Sequence, residues 1–369
     1  MQNVRILIPV IGFGKAGGYR VLAEFASQWV NLGCVVDFLV HDALSEPYFP
    51  TKAGILRIRR DGSISRGAER QSCCTDRKLP HALEIYTRLF KALCIIGGEY
   101  DVILANHSLT TFPVFLARCG SARKIYYVQA YEPDYFGLRP GLKNAILKHL
   151  SRLSYHLPLS QIANAAVYVN YREINATAWV PPGIDRTVFH RRVESPRFAR
   201  DKKWTIGSIG RPELDKGTAD VQRAFEIIAK ADPLVHLKLA YGTARRNWSH
   251  ERAEIVCPSN DVELAEFYRS VDVLVAAPTQ QFGGYHYPVL EAMSCGTPVI
   301  STGHMPATQE TAWLVDANSP QAIAASLRSI TEMAYADVIE KLDRAEEAAV
   351  ECSWETLAPR FLRLICEER

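Results

Sequence analysis

The strongest constraint on this chain is the recurrence of short, mostly apolar, β-branched runs, each followed by a turn and then by a helical pattern. Residues 4–10 (VRILIPV), 35–40 (VVDFLV), 101–105 (DVILA) and 124–128 (KIYYV) are runs of this kind in the first half. Residues 204–209 (WTIGSI), 235–240 (VHLKLA), 253–256 (AEIV) and 273–276 (VLVA) repeat the theme in the second half. Helical periodicity falls between them, at 20–32, 80–96, 218–230 and 261–270. Strands that are apolar on successive residues are buried on both faces, and alternation with helices makes them parallel strands covered on both sides. A length of 369 residues corresponds to about two domains. The polar, basic and poorly periodic segment 190–203 reads as the linker, giving domains 1–190 and 191–353. A last helical pattern, with Leu357, Phe361, Leu362 and Ile365 on one face, occupies 354–369. The expected fold class is α/β, with two doubly wound, Rossmann-like domains facing a central cleft at the carboxyl ends of their sheets.

Composition removes several alternatives. A net charge of +3 is too small to argue for a nucleic-acid partner. No apolar run reaches the roughly 18 to 20 residues of a membrane span. Residues 1–14 lack a signal-peptide cleavage pattern and read as the first strand. The nine cysteines are scattered without CxxC or metal-ligand spacing, the pattern expected of reduced thiols in a cytoplasmic protein that needs no metal.

The loops after the first-half strands carry candidates of several kinds. GFGKAGG, at 12–18, departs from the dinucleotide fingerprint because Ala16 disturbs the glycine spacing, and Asp37 falls inside the second strand instead of after it. Residues 45–79 are polar and rich in arginine, which fits either a solvated surface excursion or a loop facing an anionic acceptor. QAYEPDY follows the KIYYV strand directly, and that position makes Gln129, Tyr131 and Glu132 site candidates. Between 137 and 172 there is no Asp or Glu, whereas Arg139, Lys143, Lys148, Arg152 and Arg172 are basic and Leu142, Ile146, Leu150 and Leu153 recur at helical spacing. Such a segment is either an amphipathic helix on anionic lipid headgroups or a core-facing helix with a solvated basic side.

Two second-half segments point to anion chemistry. Gly210-Arg211 and Lys216-Gly217 follow the TIGSIG strand, where an arginine fork and a lysine point charge suit a diphosphate. In QFGGYHYPVLEAMSCGTPVIST, at 281–302, Gly283 and Gly284 lead through Tyr285, His286 and Tyr287 to Pro288, Val289 and Leu290, with Glu291 one turn in. Proline early and Gly296 late punctuate a short helix, whose N-terminal N–H groups and dipole favour a phosphate. Glu291 would accept from sugar or ribose hydroxyls. An ordinary crossover with turn glycines and surface cations explains each segment alone; together they point to one diphosphate site.

GRPELDKG, ELAEFYRSVDVLVAAPT and YPVLEAMSCGTPVIST resemble the family 4 glycosyltransferases of the GT-B fold. The resemblance extends to Gly17, Gly18 and Arg20 of the GG-x-R loop, to PPGIDRTVF and to CSWETLAPRF. YYVQAYEPDYF is similar to a rhamnosyltransferase-like branch. The resemblance implies a retaining transfer from a nucleotide-diphosphate sugar, without an obligatory metal, to a glycan or lipid-linked acceptor of bacterial surface polysaccharide. By the same resemblance Arg211 and Lys216 hold the diphosphate, Glu291 takes the ribose hydroxyls, Gly17 and Gly18 lie by the diphosphate and acceptor, and the last helix crosses back onto the first domain. Two positions depart from the pattern. Gly283 stands where the family has a glutamate, leaving His286 as a compensating sugar contact, and Gln129 replaces a histidine, so that an amide stands where the family has a proton acceptor. The competing expectations are a GT-B epimerase or phosphorylase, which would turn over without acceptor, and a nucleotide-sugar-binding protein with an inactive site. The expected location is cytoplasmic, at the inner membrane face if the basic helix binds lipid.

Overall fold

The computed structural model describes residues 3–14, 16–67, 81–137, 140–191 and 202–367. Residues 192–201 of the expected linker, and Arg70, Cys73, Cys74, Arg77 and Arg139, lie outside the described residues. The chain forms two compact units, Met1–Pro182 with Trp354–Arg369, and Gly183–Ser353. The sequence-based boundary after residue 190 therefore falls inside the second unit. Backbone contacts explain the difference: the Ile184 N–H donates to the Cys352 carbonyl at 2.8 Å, and the Arg269 guanidinium donates to the carbonyls of Val188 and His190.

In the first unit the strands are β1 (Arg5–Pro9), β2 (Val35–His41), β3 (Gly54–Ile58), β4 (Ile64–Arg66), β5 (Val102–Ala105), β6 (Arg123–Val128), β7 (Ser160–Ala163) and β8 (Ala176–Trp179). They form one sheet in the order β4-β3-β2-β1-β5-β6-β7-β8, parallel except for β4, which runs antiparallel to β3. The second unit has β9 (Trp204–Ile209), β10 (Val235–Ala240), β11 (Ala253–Val256), β12 (Val273–Ala276), β13 (Val299–Ser301) and β14 (Trp313–Leu314). Their order is β11-β10-β9-β12-β13-β14, all parallel. In each sheet the first strand in sequence is central, with β2 and β5 flanking β1 and β10 and β12 flanking β9. The order reverses there, so crossovers on either side cover opposite faces and leave a crevice at the carboxyl ends. The core below the second crevice is aliphatic and aromatic, built on Ile206, Phe225, Leu237, Val275 and Ile300.

The last helix, Trp354–Cys366, is part of the first unit. Phe361 packs against Phe25, Trp29 and Tyr127, with ring centroids 4.6 to 5.2 Å apart. Trp29 Nε1 donates to the Ala358 carbonyl at 3.1 Å, and Arg123 Nη1 to that of Ile365 at 2.9 Å. Aromatic packing of this kind adds roughly 0.5–1.5 kcal/mol per pair beyond burial.

Residues 45–79 do not form only a surface excursion. They contain β3 and the short antiparallel β4, which extend the sheet past β2. The arginines that hide these strands in the sequence are structural. Arg57, 8% exposed, reaches Glu46 at 2.6 Å and the Leu44 carbonyl. Arg66 pairs with Asp37, a carboxylate buried in β2 that also accepts from Tyr100 Oη at 2.8 Å. Gly54 makes the room, since a Cβ there would stand 2.1 Å from Asp37 Oδ1. Hydrogen bonds to a buried charge contribute about 1.5–3 kcal/mol, and Arg66 is itself half exposed. Arg66→Ala should therefore lower stability by about 2 kcal/mol, seen as a lower urea midpoint; an unchanged midpoint would remove the ion pair as the anchor of β4.

Candidate functional site

The second unit places its candidates on three loops at the carboxyl ends of β9, β12 and β13. After β9, the chain turns through Gly210 and Arg211 to a 3₁₀ turn, Leu214–Lys216, and then to the helix Thr218–Ala229. Both glycines at this turn are obligatory. A Cβ on Gly210 would lie 1.8 Å from the Gly242 carbonyl oxygen, and one on Gly217, whose φ is +69°, would lie 1.8 Å from that of Ala277. The loops after β9 and β12 are thereby clasped together, and the Thr279 N–H donates to the Asp215 carbonyl at 2.9 Å. Arg211 is half exposed and reaches Glu213 at 3.3 Å, while Lys216 Nζ meets Asp215 at 2.8 Å. The Arg211 guanidinium holds the Glu213 carboxyl below its usual range.

Residues 281–286 are laced onto the segment after β13. Gly283 N donates to the Gly303 carbonyl at 2.8 Å, Met305 N to that of Gly284 at 2.9 Å, and His286 N to that of Met305 at 3.1 Å; Tyr285 bridges Met305. Gly283 has φ +81°, so a glutamate at this position would be strained as well as absent. Gln281 is 8% exposed and does not reach outward in its place. The helix Tyr287–Ser294 follows, with Pro288 in its first turn. Its expected backbone donors are fewer than the sequence implied: Pro288 has none, and the N–H groups of Val289 and Leu290 close on the His286 carbonyl at 3.0 and 3.2 Å. Glu291, in the second turn of this helix, is 3% exposed and accepts from Tyr268 Oη at 2.7 Å.

His286 connects these parts. Burial first, then His304, Lys216 and Arg211, push its pKa well down, which places both cations close enough to be felt at the imidazole. Its Nδ1 has no hydrogen-bond partner among the described residues. His304, buried beneath it with ring centroids 5.7 Å apart, donates from Nε2 to the Gln280 carbonyl at 2.7 Å and is likewise pushed down by burial. The arrangement is a buried, neutral imidazole that feels the charges of Lys216 and Arg211.

In the first unit Gly17 and Gly18 open the helix Gly17–Asn31, and a Cβ on Gly18 would meet Gln129 Oε1 at 3.0 Å. These sequence candidates are brought together. Gln129 Oε1 has no hydrogen-bond partner among the described residues. Arg20 turns inward, 8% exposed. Tyr131 and Glu132, each 9% exposed, direct their polar groups to neighbouring residues. Glu132 accepts from Ser108 N at 3.0 Å, from Ser108 Oγ and from His107 Nε2 at 3.2 Å, which ties the β6 loop to the β5 loop. Tyr131 donates to Glu173 and stacks on Tyr155; its phenol is pushed up to about 12, mainly by burial.

Residues 203–333 match the family described as glycosyl transferases group 1. The matched stretch lies within the second unit and covers about a third of the chain. A curated relative, the D-inositol 3-phosphate glycosyltransferase of Paenarthrobacter aurescens (strain TC1), is 31% identical over 196 residues. That match spans 46% of this chain and 45%, under half, of the relative. Among solved structures, sucrose-phosphate synthase (tll1590) from Thermosynechococcus elongatus superposes with a TM-score of 0.72 at 16% identity, covering 98% of both chains. Anabaena Alr3699/HepE, solved with UDP and glucose, gives 0.67 at 14% identity over 98% of this chain and 99% of its own. At such identities the likeness establishes the fold, which is GT-B.

Of the residues the sequence pointed to in the second unit, Arg211 and Lys216 share the loop after β9, while His286 and Glu291 lie at the N-cap and inside the helix Tyr287–Ser294. The sequence did not point to Tyr268, Glu213 or Asp215, which pair with Glu291, Arg211 and Lys216, or to His304; the acids near Arg211 and Lys216 in RPELDKG were the one visible signal. Both histidines have depressed pKa values in the folded state, so the unfolded chain binds protons first as pH falls. The stability they contribute is present above the ordinary value of 6.5 and declines below it. The thermal midpoint should drop as pH is lowered through that value, and His286→Gln should flatten the drop; an identical slope in the variant would exclude His286 as a source.

Proposed function

We infer that this protein transfers a sugar from a nucleotide-diphosphate donor, bound by the second unit, to a hydroxyl of a glycan or lipid-linked acceptor. The observation that carries the reading is that Arg211 and Lys216 share one loop, which the Gly217–Ala277 contact and the Thr279–Asp215 hydrogen bond clasp to the loop leading to the helix that bears Glu291. A departing diphosphate gains negative charge as the glycosidic bond breaks. A guanidinium and an ammonium fixed beside the leaving oxygen stabilise that charge more in the transition state than in the ground state. Glu213 and Asp215 hold the two cations at the loop, and their side chains would give way as phosphate oxygens compete for the same donors. The UDP and UDP-glucose of the HepE complexes support a nucleotide sugar as the donor class.

Glu291 accepts from ribose hydroxyls, and Tyr268 fixes the rotamer that does so. The neutral His286 offers Nδ1 to a donor-sugar hydroxyl, the contact that Gly283 lacks. Gln129, held against Gly18, accepts from the incoming hydroxyl and orients it, but an amide takes no proton at neutral pH. With no protein base at that position, front-face attack in which the leaving phosphate oxygen receives the proton is the route in keeping with retention. Charge on the diphosphate is balanced by Arg211 and Lys216, so turnover should survive EDTA. Assignment to family 4 and a role in bacterial surface polysaccharide belong to the same proposal.

A thermal-shift screen of UDP, GDP, ADP and dTDP sugars should identify one donor that raises the melting temperature, since binding to the folded state stabilises by mass action. With that donor, Arg211→Ala and Lys216→Ala should each lower turnover about 10²–10³-fold while melting unchanged without ligand. Near-normal turnover in both would sink the assignment. Turnover without any acceptor would favour an epimerase, and donor binding without transfer an inactive binding protein.

A further inference from the structure

The helix Leu142–Ser154 is inverted with respect to the rest of the molecule. Its buried residues are Ser151 and Ser154, whereas Leu142, Ile146, Leu150 and Leu153 are 78, 51, 36 and 43% exposed. At spacings of four, four and three residues these side chains form a single stripe along the helix. The core-facing alternative is thus excluded: the apolar side looks out and the small polar residues look in. Lys143 and Arg152 are exposed on the same helix, and no acid occurs anywhere from 137 to 172. An apolar stripe on a helix whose own charged residues are all basic is unsuited to a protein core and suited to a surface that is apolar below and anionic above.

We propose that this helix docks the first unit on an anionic phospholipid bilayer, lying parallel to the surface with Leu142, Ile146, Leu150 and Leu153 among the acyl chains and the cations at the headgroups. Charge selects lipid over a second copy of the chain, because two such helices would bring like charges together. Packing fixes the helix to the candidate acceptor side. Arg152 lies 3.5 Å from Glu173, the carboxylate that takes the Tyr131 hydroxyl, and Lys148 Nζ comes within 3.1 Å of the position a Cβ would take on Gly137, at the end of the short helix Glu132–Gly137. Docking would hold the carboxyl end of β6 near the membrane, where an acceptor with a lipid anchor is presented. The assignment of that acceptor rests on the transferase reading; the docking does not.

Sedimentation of the full chain with sucrose-loaded vesicles tests the proposal. Wild type should pellet with phosphatidylcholine–phosphatidylglycerol vesicles and not with phosphatidylcholine alone, and added salt should release it. Lys143→Gln should weaken partition roughly fivefold, and Leu142→Ser with Ile146→Ser should abolish it, while the melting temperature and donor binding stay at wild-type levels. No pelleting of wild type, or equal pelleting of the serine variant, overturns the docking. A dimer that dissociates in the serine variant, without vesicle binding, overturns it in favour of self-association. Loss of vesicle binding with intact transfer to a soluble acceptor would separate failure of docking from failure of the enzymatic reading.

Discussion

The second unit depends on a backbone contact that leaves no room for a side chain. At the carboxyl end of β9 the chain must pass under the loop leaving β12, and it does so at Gly217, in the left-handed region and against the Ala277 carbonyl. The close approach follows from topology: β9 is the strand where sheet order reverses, so the loops of its neighbours part there and its own loop fills the gap. One residue earlier stands Lys216, whose position is set by the clasp and not by its own flexible stem. The same contact brings Asp215 to Thr279, joining the strand that carries the cations to the loop that leads to His286.

Electrostatics then orders the side chains. Two cations beside a buried imidazole make its protonation costly, so His286 is a neutral hydrogen-bonding group and not a third charge. Glu213 and Asp215 offset the cations in water without burying them, and both remain partly solvated. Pairs of this exposure contribute at most about 1 kcal/mol. A phosphate that offers two oxygens to a guanidinium could compete with them, as the proposed donor site requires.

What the sequence shows and hides follows from range. The runs of β1, β5, β9 and β12 were legible because burial on both faces makes them predominantly apolar, with β5 and β12 wholly so. GRPELDKG and YPVLEAMS were legible because local backbone chemistry dictates their residues. β3 and β4 were not, because their arginines are neutralised by Glu46 and by Asp37, partners that are separated in sequence and meet only in the folded sheet. The partners of Glu132 were hidden for the same reason, since Ser108 and His107 come from the neighbouring strand's loop. Periodicity located the helix Leu142–Ser154 correctly but could not say which side faces in.

The two units differ in how they spend polar groups. In the first, the carboxylate and phenol at the end of β6 are consumed in joining one loop to the next, and Gln129 and Asn164 each retain an amide oxygen without a partner among the described residues. In the second, the charged groups at the loop tips stand at the surface and the paired ones lie beneath. A diphosphate is recognised by charge, which can act from a half-exposed side chain. A sugar hydroxyl is recognised by direction, which requires acceptors held rigid by their surroundings. The buried network around Glu132 lies on the loop that follows Gln129, so under the proposed function residues that touch no ligand would still define where one is held.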